Sequence, residues 1–79
     1  MDIEYYRQED EEARSRRQLS EKAVELAVQG RWEEAATVNR NIIEQFSSDV
    51  EAYNRLGRAL TELGDFAQAK QAYLKALAL

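Results

Sequence analysis

The chain has 79 residues, with 15 acidic and 11 basic side chains, and no histidine, cysteine or proline. Without imidazole or thiol there is no disulfide framework, no zinc site and no His-based triad, so the composition points away from an enzyme and implies neither cofactor nor metal. A formal charge of −4 disfavours nucleic acid, whose phosphates are held by basic clusters, and this length allows one domain with a small core.

The first residues, Met1-Asp2-Ile3-Glu4, are acidic and lack the basic-then-apolar layout of a secretory signal. Apolar runs such as Ala76 to Leu79 fall far short of the roughly 20 residues a bilayer span needs, so no membrane association is expected. The expected location is cytoplasmic, and the missing cysteines fit a reducing compartment. Ile3, Tyr5 and Tyr6 form a small apolar knot. Residues 7–18 then carry four arginines, four acids and one apolar side chain, Ala13, which leaves no face to bury. This predicts a polar N-terminal extension over residues 1–18, helical or frayed, in which Asp10–Arg14 and Glu12–Arg16 each add about 0.2–0.5 kcal/mol.

Beyond residue 18 the apolar spacing becomes helical. One stripe runs Trp32, Ala35, Val38, Ile42, Ile43 and Phe46, a second runs Tyr53, Leu56, Leu60 and Leu63, and a third runs Phe66, Ala69, Tyr73, Ala76 and Leu77. Gly30 and Gly64 suit the left-handed residue that ends a helix. Ser48 with Glu51 and Asp65 with Gln68 read as capping boxes that start one. The pattern predicts an all-α fold with helices over 14–29, 32–46, 49–63 and 66–79, joined by turns short enough to make neighbours antiparallel. No strand signal is present.

The two glycines are 34 residues apart, and the chain aligns with itself at that offset. Leu26 falls on Leu60, Ala35 on Ala69, Trp32 on Phe66, Ala23 on Gly57, Leu19 on Tyr53 and Ile43 on Leu77. The second copy reads Tyr53, Leu56-Gly57, Leu60, Gly64-Asp65-Phe66, Ala69, Tyr73, Ala76. In this it resembles the tetratricopeptide repeat, a helix–turn–helix unit of 34 residues. The first copy is degenerate: Leu19, Lys22-Ala23, Leu26, Gly30, Trp32 and Ala35 are in register, but Asn39 stands where the family prefers an aromatic. Ser47 replaces its closing proline.

The resemblance implies two helical hairpins stacked as a short right-handed α-solenoid over residues 19–79, the first repeat about 16–48 and the second about 50–79. The second repeat is incomplete at its C-terminal end. Ala23, Ala35, Gly57 and Ala69 read as contact points where larger side chains would push helices apart. Trp32 and Phe66, just after each turn, are expected to lock the hairpin angles.

The resemblance also implies an interaction module that holds a peptide or protein segment on the concave face built from the first helix of each repeat. Projected onto this chain, that groove takes Arg17, Ser20, Val24 and Val28 from the first copy and Glu51, Asn54, Arg55, Arg58 and Glu62 from the second. Arg17, Arg55 and Arg58 have the fork geometry to grip a carboxylate, and Asn54 suits a peptide backbone group. Domains of the family that clamp chaperone tails carry Lys and Asn where this chain has Ser20 and Val24, which argues against that ligand. Glu33-Glu34 and Asp10-Glu11-Glu12 read as solvated faces, since adjacent helical residues diverge by about 100°. Tyr53 and Tyr73 read as core aromatics.

The last helix presents Leu74, Leu77 and Leu79 where another repeat would pack. Something is expected to cover them: a second copy of the chain, the Ile3-Tyr5-Tyr6 knot, or residues of a longer parent protein. The alternative reading is therefore a homo-oligomerisation module using that apolar face.

Overall fold

The computed structural model describes the backbone from residue 3 onward and side chains from residue 10 onward; the Ile3-Tyr5-Tyr6 knot lies outside the described side chains. Four helices make up the fold: α1 (Ile3–Val28), α2 (Trp32–Gln45), α3 (Val50–Glu62) and α4 (Phe66–Ala78). Among the described residues there is no strand. α1 and α2 form one hairpin and α3 and α4 a second. α2 also packs along α3, while α1 touches α3 only lightly. This is the stacked-hairpin architecture that the resemblance implied.

Both hairpin turns close in the same way. Gly30 and Gly64 adopt φ of 73° and 83°, a region open to glycine without steric cost. Arg31 N–H reaches back to Leu26 C=O and Gly30 N–H to Ala27 C=O; Asp65 and Gly64 repeat this on Leu60 and Thr61. Each is a Schellman turn, which satisfies the carbonyls a helix end would otherwise leave orphaned.

The predicted helix starts need correction. Asp49, not Ser48, caps α3: its Oδ1 accepts from Ala52 N–H at 2.9 Å. Asp65 caps α4 by accepting from Gln68 N–H at 3.2 Å, but the Gln68 side chain does not return to complete a box. It accepts instead from Arg40 Nη2 at 3.2 Å, tying α4 to α2.

The extension is one continuous helix with the first repeat helix, so no break occurs near residue 18. The expected Glu12–Arg16 pair is replaced by a longer-range one. Arg16 Nε donates to Asp49 Oδ2 at 2.9 Å, and its guanidinium lies 5.3 Å from the centre of the Phe46 ring. Asp49 is 5% exposed, so its charge is poorly screened by water and attracts the arginine more strongly than an exposed carboxylate one turn away.

Ala23, Ala35, Gly57 and Ala69 are all buried, as the contact-point reading requires. The core also takes Ala36, Ala52, Ala59, Ala72 and Ala76, which set the close approach of α2, α3 and α4 around Leu26, Leu56, Leu60 and Ile42. Trp32 packs against this core, whereas Phe66 is 68% exposed and locks nothing. The difference is tertiary: Arg58 of α3 covers Trp32, its guanidinium 5.4 Å from the ring centre, and no helix occupies the corresponding place over Phe66.

Candidate functional site

The first helices of the two hairpins, α1 and α3, form one face of the stack. Between them lies a hollow of about 460 Å³ lined by Arg17, Ser20, Glu21, Val24, Glu25, Glu51 and Arg55. Five of the residues expected in a groove, Arg17, Ser20, Val24, Glu51 and Arg55, therefore share one concavity. Val24 supplies its apolar floor and is 48% exposed. Val28, one turn further along α1, is more exposed still.

Arg55 is not a free binding group. Its Nε donates to Asn39 Oδ1 at 3.0 Å, its Nη2 lies 3.5 Å from Ser20 Oγ, and its Nη1 lies 3.7 Å from a Glu51 carboxylate oxygen. Asn39 is almost fully buried and donates from Nδ2 to Ala35 C=O at 2.9 Å. One arginine thus joins α1, α2 and α3 through a buried amide. The shorter Asn39 side chain, standing where an aromatic is usual, makes the room.

Arg58 is likewise engaged, with Nε donating to Glu62 at 3.1 Å and the guanidinium over Trp32. The expected trio of arginines is consequently not assembled as an anion grip. Among the described residues Arg17 has no ion-pair partner, but Glu21 and Glu25 on its own helix and Glu51 on α3 line the same hollow. Asn54 is exposed on α3, beside the same face.

Sequence reasoning missed Arg16 and Phe46. With Glu12, Ala13, Arg17 and Ser20 they line a second hollow of about 520 Å³, which continues the concave surface toward the turn between α2 and α3. Phe46 ends an apolar stripe, which was the only available signal; its pairing with Arg16 depends on tertiary contact.

The residues proposed for self-association all reach solvent. Leu74, Leu77 and Leu79 are 53%, 83% and 52% exposed, and Phe66 and Tyr73 extend the same apolar surface. Among the described residues no helix is long and apolar enough to cross a membrane, and no cluster of three or more acidic, His or Cys groups is arranged to hold a metal.

Comparison with curated proteins and with solved structures gave no match. The family model of the tetratricopeptide repeat matches residues 50–79, which are the α3–α4 hairpin and its capping turn. Repeats of this family generally mediate protein–protein interaction and typically perform no chemistry of their own. The Schellman turn at Gly64, the buried Ala69 and the close approach of Tyr73 to Gly57 show how the matched residues generate that hairpin. Residues 50–79 of this chain thus match the tetratricopeptide repeat in sequence and fold as a helical hairpin.

Proposed function

We propose that the chain is a protein-binding module whose concave face, between α1 and α3, holds an extended segment of a partner protein. The observation that carries this reading is the hollow with Val24 on its floor and Glu21, Glu25 and Glu51 on its rim. An apolar floor with a charged rim binds by burying one anchor and pairing its flanks.

The rim chemistry favours a basic segment over an acidic one. Arg55 is held by Asn39, Ser20 and Glu51, and Arg58 by Glu62 and Trp32, which leaves Arg17 as the cation lining this hollow without an ion pair among the described residues, against three glutamates. The three glutamates face solvent. A peptide with an aliphatic anchor for Val24 and Lys or Arg on either side is the complementary ligand.

Panning a random peptide display library against the 79-residue chain tests this. Enriched peptides should be basic, and synthetic copies should bind about tenfold or more weakly to Val24→Glu, whose exposed position leaves the melting temperature unchanged. Peptides indifferent to Val24→Glu and to Glu51→Lys would overturn the groove assignment, as would failure to enrich any.

A further inference from the structure

We propose that the chain stacks head to tail on further copies of itself, with α1 of one copy lying against α3 and α4 of the next in the place that α3 takes against α1 and α2. The argument uses the chain's own period. Within one chain, the junction between hairpins is a known surface: α3 covers Trp32 and Asn39, and Ala36 and Ala59 share one buried cluster. Moving each partner by 34 residues shows what a second copy would bring to the open end.

The transposed pairs are chemically complementary. Trp32 under Arg58 becomes Phe66 against Val24 of the second copy, an apolar contact between two residues now 68% and 48% exposed, so a stacked copy and a groove peptide compete for Val24. Asn39 with Arg55 becomes Tyr73 with Glu21, a phenol facing a carboxylate. Ser20 with Arg55 becomes Asn54 with Glu21, an amide donor facing the same carboxylate. Ala36 and Ala59, which share a buried cluster, become Lys70 and Glu25, opposite charges whose longer side chains hold the two copies further apart than the hairpins within one chain. Lys22 stands where Leu56 does, so its stem can lie on apolar surface while the ammonium reaches water.

Charge decides the orientation. α4 carries Lys70 and Lys75 and no acid, so pairing two α4 faces about a two-fold axis would set like charges together. Turning the second copy so that Glu21 and Glu25 of α1 meet α4 removes that repulsion. Because the two faces differ, the contact is heterologous and each added copy leaves one face free for the next, so assembly grows beyond a dimer. The polar groups at the junction make it weaker than the α2–α3 contact within one chain, so stacking is reversible and dilutes away.

Sedimentation velocity over about a hundredfold concentration range tests the proposal. The weight-average mass should climb past the dimer without a plateau. Lys70→Glu and Glu25→Lys, both exposed and outside the core, should each remain monomeric at the highest concentration with unchanged thermal melts. Mixing the two variants should restore growth, because every junction in the mixture then has opposite charges at these positions. A wild-type chain that stays monomeric, or that stops at a dimer, overturns the proposal. So do single variants that assemble like wild type, or a mixture that stays monomeric.

Discussion

The ring of Tyr73 lies directly on Gly57: a Cβ placed on that glycine would stand 2.8 Å from the ring's Cε1 and Cζ. Thirty-four residues earlier the same two positions hold Asn39 and Ala23, both buried. A large side chain and a glycine in the second hairpin correspond to a small amide and a methyl group in the first. Only the second hairpin therefore leaves an aromatic ring partly exposed at the end of the stack, where the first buries its amide.

This size relationship is testable by a double-mutant cycle. Gly57→Ala should gain up to about 1 kcal/mol of helix propensity when position 73 carries Asn, because the methyl group then has room. With Tyr73 in place the ring must move, and the same substitution should fall short of that gain. A coupling of about 0.5–3 kcal/mol between the two changes is expected in denaturant melts. Additive effects would show that the ring and the glycine do not constrain one another.

Arg55 should behave as a structural residue. Arg55→Ala leaves the buried Asn39 carbonyl without its donor, at a cost of about 1–3 kcal/mol. Adding Asn39→Leu in that background should recover part of the loss, since no orphaned acceptor remains. A loss of partner binding with an unchanged melting temperature in Arg55→Ala would instead restore the arginine to the ligand's service.

The capping correction separates two neighbouring residues. Asp49→Ala should cost about 1–2 kcal/mol, because it removes the cap of α3 and the partner of Arg16 together. Ser48→Ala should change stability by less than about 0.5 kcal/mol, as expected for an exposed position without such a role. Equal effects in chemical denaturation would contradict the observed cap.

The four helices and their two repeating turns were legible in the sequence because they depend on local chemistry. Leu56 and Leu60 must share a face at helical spacing, and Gly30 and Gly64 can take positive φ, whatever the rest of the chain does. Even the N-terminal helix was foreseeable as an option, although its polar surface gave no way to know that it would run unbroken into the first repeat.

Partnership was decided by the tertiary structure. Arg16 has a carboxylate one helical turn away in Glu12, yet chooses Asp49, because only folding brings that poorly hydrated charge within reach. Arg55 reads as an exposed groove residue until Asn39 is found beneath it, and Trp32 and Phe66 read alike until one is covered and the other is not. Spacing along a helix fixes which way a side chain points, but not what stands opposite. Burial, pairing and exposure all follow from the second.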